Sequence, residues 1–219
     1  MTERPTLTGP FAPPKSGGPP RSIVVFLHGY GSNGADLIGL APYWRDDLPD
    51  TLFVAPNAPQ VCPGAPGGFQ WWPLTSLSPA ARAEGVRLSA PALDAFIDGL
   101  LAEHEIPASR LALVGFSQGT MMALHVGPRR AEPVAAIVGY SGMLADPEAL
   151  AAEGRNRPPV LLIHGDADEV LPVASMTRAQ TALDALGFAV ASHVSHGLGH
   201  SVDEAGLARG GDFLSARLA

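Results

Sequence analysis

Short, unbroken apolar runs alternate with helix-like stretches along almost the whole chain. That alternation restricts the fold more than any single motif does. Residues 22–27 (SIVVFL), 51–55 (TLFVA), 111–115 (LALVG), 134–139, 159–164 and 190–194 read as strands. Residues 35–44, 118–126, 175–186 and 202–218 read as helices. A longer helix follows residue 79, with Val86, Ala90, Leu93, Ile97, Leu100 and His104 recurring on one face at spacings of three and four. Pro91 is expected to kink or split it. The strands are continuously apolar rather than alternating, as strands covered on both faces are. The order βαβαβα therefore predicts a mostly parallel central sheet with helices on both faces, an α/β class. Ligands of such sheets lie beyond the carboxyl ends of the strands, so the residues just after each strand are where chemistry is expected.

A chain of 219 residues suits one domain. Residues 1–20 (MTERPTLTGPFAPPKSGGPP) are polar and proline-rich, and read as an extended or loosely tethered arm. Residues 21–219 read as a single α/β domain. The loop at 56–79, rich in Gly and Pro, is the only spare segment, too short for a lid domain. An open site walled on one side by that loop is expected. A single cysteine, Cys62, excludes an intramolecular disulfide framework and any multi-cysteine metal site. A net charge of −7 argues against nucleic-acid binding. No apolar run approaches the roughly 20 residues of a membrane-spanning helix, so no membrane insertion is expected. The lone cysteine and the absence of an apolar signal core point to the cytoplasm.

After the strand LALV comes Gly115-Phe116-Ser117-Gln118-Gly119, a G-x-S-x-G. The pentapeptide alone is a modest signal, but here a strand precedes it and a helix-forming stretch follows. In that setting the serine occupies a strained strand-to-helix turn with its hydroxyl exposed, and the flanking glycines remove side chains that would clash. A serine hydroxyl needs a base, and the base needs an orienting carboxylate. The expected chain order is serine, acid, histidine. The strand at 159–164 is followed by Gly165-Asp166-Ala167-Asp168, and the strand at 190–194 by Ser195-His196-Gly197-Leu198-Gly199-His200. On residue chemistry alone the acid is Asp166 or Asp168 and the base His196 or His200. Asp166 also suits a turn or cap role. Acyl transfer further needs N–H donors for an oxyanion. One is expected at Gln118, after the serine, and one at Tyr30, in the loop after the first strand. His28 reads more plainly as a core histidine bonded to backbone.

Gly29–Gly34 spells G-x-G-x-x-G, which would suggest a dinucleotide site. The acidic residue that should end the next strand is missing, since TLFVA runs into Pro56-Asn57. His104, His125, His164 and His193 show no metal-ligand spacing, and Cys62 reads as a small apolar or surface residue.

Together HGYGSNGADL, FQWW, GFSQGTMMALH, HGDADEVLP and GLGHS resemble the phospholipase/carboxylesterase family of α/β-hydrolases, which includes bacterial carboxylesterases and acyl-protein thioesterases. The resemblance runs from about residue 22 to the end. It implies the α/β-hydrolase fold, with Ser117 as nucleophile, Asp168 rather than Asp166 as acid, and His200 as base. Glu169 stands where that family usually has proline. It also places Trp71, Trp72 and Leu74 in an aromatic-bearing loop near an acyl pocket, with core packing as the plainer reading of the aromatics. The implied activity is a serine esterase acting on short to medium acyl esters, with a thioesterase, a lysophospholipase or a non-catalytic relative as rivals. No metal or cofactor is required, the partner is a small-molecule ester, and a homodimer is plausible. Because the base must be neutral, the rate is expected to rise with pH through roughly 6–7.

Overall fold

The computed structural model describes residues 7–219. Nine strands and seven α-helices alternate along them. The strands are β1 (Phe11–Ala12), β2 (Ser22–Leu27), β3 (Thr51–Val54), β4 (Gln60–Val61), β5 (Phe69–Gln70), β6 (Leu111–Phe116), β7 (Ala136–Tyr140), β8 (Val160–Gly165) and β9 (Val190–Ser195). The helices are α1 (Gly34–Ile38), α2 (Ala41–Trp44), α3 (Pro79–His104), α4 (Gln118–Val126), α5 (Pro147–Glu153), α6 (Ala174–Ala185) and α7 (Glu204–Leu218).

Seven strands form the main sheet in the order β1-β3-β2-β6-β7-β8-β9, and β4 and β5 form a separate hairpin. Every pairing in the main sheet is parallel except that of β1 with β3. Side-chain alternation along each strand feeds two cores. Ile23, Val25 and Leu27 of β2 face α3, α4, α5 and α6, while Val24 and Phe26 face α1, α2 and α7. This is the double burial that the unbroken apolar runs imply.

From β2 the chain passes to β3 on one side of it, while β6 lies on the other. The loops leaving β2 and β6 therefore diverge and open a crevice between them, the switch point at which open α/β sheets bind ligands. The crevice is thus set by strand order before any side chain is considered.

The structure departs from the sequence reading in four places. The arm, of which residues 1–6 lie outside the described residues, is extended from residue 7 but docked rather than loosely tethered. Leu7 is buried in the core, and Phe11 and Ala12 pair with Val54 and Phe53. The segment expected as one helix over 35–44 is two short ones, with Pro42 inside the first turn of α2. Pro91 does not split α3, which runs 26 residues. Val86 before it and Leu93 and Ile97 after it are all fully buried. Their packing on both sides outweighs the one lost backbone bond. Finally, α5 and the β4–β5 hairpin were not anticipated. Asp146 capping Ala149 N–H, with Pro147 at the first helical position, is the signal that marks α5.

Candidate active site

Ser117 stands between β6 and α4 with φ 54° and ψ −114°, a conformation costly for a residue with a side chain. Surrounding contacts enforce it. Ser117 N–H donates to Tyr140 O at 2.9 Å, and Thr120 Oγ1 donates to Gly115 O and Tyr140 O. The flanking glycines leave no alternative. A Cβ on Gly119 would sit 1.8 Å from Leu27 O, and one on Gly115 would sit 2.4 Å from Thr120 N. The serine therefore tops a turn wedged between β2 and β6, and its side chain makes no capping bond to α4.

The acid and the histidine are joined directly. His200 Nδ1 lies 2.7 Å from Asp168 Oδ2, and the Asp168 side chain is fully buried. Asp168 Oδ1 accepts from Val170 N–H at 2.9 Å and from Leu171 N–H at 2.8 Å. Burial works to raise the Asp168 carboxyl. The His200 bond and the two backbone donors outweigh it and hold the carboxyl below the usual range. His200 packs its ring on Phe116 at 4.9 Å between centroids. Its loop is tied down by Ser141 Oγ, which donates to Ser201 O, and by Ser195 Oγ, which donates to Asp203.

Asp166 and His196, the alternatives, pair with each other instead. Nδ1 of His196 lies 2.8 Å from Asp166 Oδ2, and Gly197 N–H donates to Asp166 Oδ1. The His196 side chain is 88% exposed, so this pair fastens the outer turn of the loop. The His196 bond, then the Gly197 N–H, hold Asp166 below the usual carboxyl range.

Ser117 and His200 line one cleft of about 310 Å³ together with Gly29, Tyr30, Phe116 and Val202. The far wall is Asp36, Leu37 and Leu40, from α1 and the turn after it. Among the described residues no hydrogen bond joins Ser117 Oγ to His200, but both side chains line the same cleft. Gln118 opens α4, where a backbone N–H has no acceptor within the helix. Gly31 and Ser32 donate their N–H groups to Phe69 O and Gly29 O, while the Tyr30 N–H has no backbone acceptor among the described residues. Tyr30 and Gln118 thus stand on the two loops that leave β2 and β6.

The expected wall over 56–79 is not where the cleft is lined. Trp71 and Trp72 are 0% and 4% exposed and belong to the core beneath the site. Trp71 Nε1 donates to His28 O, and Gln118 grips the pair by its amide, accepting from Trp71 N–H and donating to Trp72 O. Indole rings of this size reach their full packing value only when enclosed, which is why they turn inward. Leu74 is 39% exposed and outside the cleft lining. The hairpin instead braces the donor loop, with Gly31 N–H on Phe69 O and Phe69 N–H on Ser32 O. His28 is a core histidine, as its plainer reading held. Its Nε2 accepts from Ala58 N–H, so Nδ1 carries the proton toward Gly29 O. Burial keeps it below the usual imidazole range. The side-chain role of Gln118, the Ser141 tether and the α1 wall were not read from the sequence. Each depends on contacts between segments remote along the chain.

The sequence profile described as Phospholipase/Carboxylesterase matches residues 14–218. Esterase YpfH of Escherichia coli is 27% identical over 187 residues, covering 84% of this chain and 78% of that one. Acyl-protein thioesterase 1 of Neurospora crassa is 30% identical over 215 residues, covering 90% and 87%. The crystal structure of esterase PE8 superposes with a TM-score of 0.93 at 47% identity, covering 97% of this chain and all of that one.

Proposed function

The chain belongs to the phospholipase/carboxylesterase family of α/β-hydrolases, hydrolases of ester bonds, and within it we propose a serine carboxylesterase working through Ser117, His200 and Asp168. Ser117 Oγ attacks the ester carbonyl while His200 Nε2 takes its proton. Asp168 holds the imidazole through Nδ1–H and stabilises the imidazolium. The Tyr30 and Gln118 N–H groups receive the oxyanion. Collapse of the tetrahedral intermediate expels the alcohol, which leaves with the proton held on His200. Water then loses a proton to His200 and attacks the acyl-enzyme, releasing the acid and restoring Ser117. Residues 21–219 form the catalytic unit in this reading, with residues 7–20 as a strap on its sheet.

The observation that carries this reading is the convergence on one cleft of a serine at positive φ and a histidine bonded to a buried carboxylate. The cleft's modest volume and its apolar residues Leu37, Leu40, Phe116 and Val202 favour short to medium acyl esters. A fluorophosphonate probe tests the assignment. Labelling is expected in the intact protein and lost in Ser117→Ala, together with ester hydrolysis; absence of labelling in the intact protein sinks the reading. Thioester hydrolysis is the second reading, favoured by the acyl-protein thioesterase relative. Rates on p-nitrophenyl butyrate against a palmitoyl thioester separate the two.

A further inference from the structure

Asp168 is touched by a second imidazole that the chemistry above does not use. His164 lies in β8 and is 1% exposed. Its Nε2 is 2.8 Å from Leu171 O and 3.1 Å from Asp168 Oδ2. Both neighbours are acceptors, so Nε2 carries a hydrogen. Its Nδ1 is buried with no hydrogen-bond partner. An apolar residue would fill this space without leaving a ring nitrogen unpaired, so the reason for a histidine here lies in the Nε2–H.

We propose that His164 is a positioning residue for the catalytic carboxylate, its Nε2–H bonded to Leu171 O with the ring edge 3.1 Å from Asp168 Oδ2. The proposal rests on the Ser117–His200–Asp168 reading. His164 thereby anchors the Leu171 peptide, whose own N–H bonds Asp168 Oδ1. Val170 and Leu171 N–H fix Oδ1, His200 from the loop after β9 bonds Oδ2, and His164 from β8 stands 3.1 Å from the same oxygen. Rotation about Cβ–Cγ is soft in aspartate, so a carboxylate held on one oxygen alone would swing. Held on both, it presents Oδ2 to His200 at a fixed angle. The Nε2–H edge of His164 also sets partial positive charge beside Oδ2. Without it, the carboxylate would stabilise the His200 imidazolium more strongly and orient it less well.

Steady-state hydrolysis of p-nitrophenyl acetate across pH tests this, using His164→Leu and His164→Gln with the unaltered enzyme. His164→Leu is expected to lower kcat about tenfold with KM within about twofold. The acid limb of its kcat/KM profile should move up by about half a pH unit. His164→Gln, whose amide N–H reaches toward Leu171 O, should recover most of both. A Leu variant matching the unaltered enzyme in kcat and acid limb overturns the proposal. So does an equal loss in both variants, which would make packing the cause, or a loss confined to KM. Fluorophosphonate labelling run in parallel separates this failure from the failure of the hydrolase reading, since an unlabelled intact protein overturns the latter. If His164→Leu does not fold, imidazole 15N spectra of the intact protein decide. Protonated Nε2 with bare Nδ1 on His164, assigned by its loss in His164→Gln, is expected, and the opposite tautomer overturns the proposal.

Discussion

Ser117 adopts its positive φ because its neighbours leave the chain no other path. Gly119 lies against the β2 backbone so closely that any side chain would have to enter Leu27 O. Gly119→Ala is therefore expected to destabilise the fold by about 3 kcal/mol, read as a lowered denaturation midpoint, and to reduce Ser117 labelling in whatever remains folded. The requirement for glycine was legible in the pentapeptide; the atom that imposes it was not, because β2 is distant along the chain. The same limit applied to the acid and base. Residue chemistry left Asp166 and Asp168, and His196 and His200, open. The burial of Asp168 and the exposure of His196 separate them in the structure. Asp166→Ala should thus retain most of the activity, with kcat within about threefold, since it removes a surface fastening of the loop. A loss as deep as that of Asp168→Ala would contradict this division.

At the scale of elements, α4 carries a hidden pH liability. His125 near its end is buried, and burial, then the charge of Arg129, depress it to about 4. Its folded value lies below the unfolded value of 6.5, so the unfolded chain binds the extra proton first on acidification. The stabilising contribution is whole above pH 6.5 and is lost as pH falls toward 4, amounting to at most about 3 kcal/mol. Urea titrations at pH 7 and pH 4.5 should show that fall, and His125→Phe should flatten part of it. An unchanged slope in the variant would place the proton elsewhere. Element type followed well from the sequence where runs were long and periodic. The strand β2 and the helix α4 begin and end where their patterns do, because a strand buried on both faces and a helix buried all round leave little ambiguity. The short pieces escaped. A two-residue strand such as β4 has no period of its own and exists because β5 pairs with it.

Across the whole molecule, strand order creates the crevice and the connecting loops furnish it. All residues between β5 and α3 and between α1 and β3 are spent on short loops and helices, and none forms a lid over the cleft. Activity should therefore follow simple saturation as a short-chain ester crosses its micellar limit, with no jump at the interface. A sharp rise there would reveal a mobile cover. No helix among the described residues is long and apolar enough to cross a membrane. The proline-rich segment from residue 7 contributes a buried leucine and an antiparallel strand at one edge, which blunts an otherwise open parallel edge.

The sequence by itself determined the layered α/β architecture, the serine turn and the set of strand ends from which an acid and a histidine come. Those features are local, written in hydrophobic period and in residue types that only certain turns accept. Only the tertiary structure decided which carboxylate meets which imidazole, that Trp71 and Trp72 lie behind the cleft rather than in it, and that α1 supplies its far wall. It also placed His164 on Asp168. These outcomes depend on distances across the sheet and between loops far apart in sequence, set by strand order and packing. No pattern along a single chain encodes such distances directly.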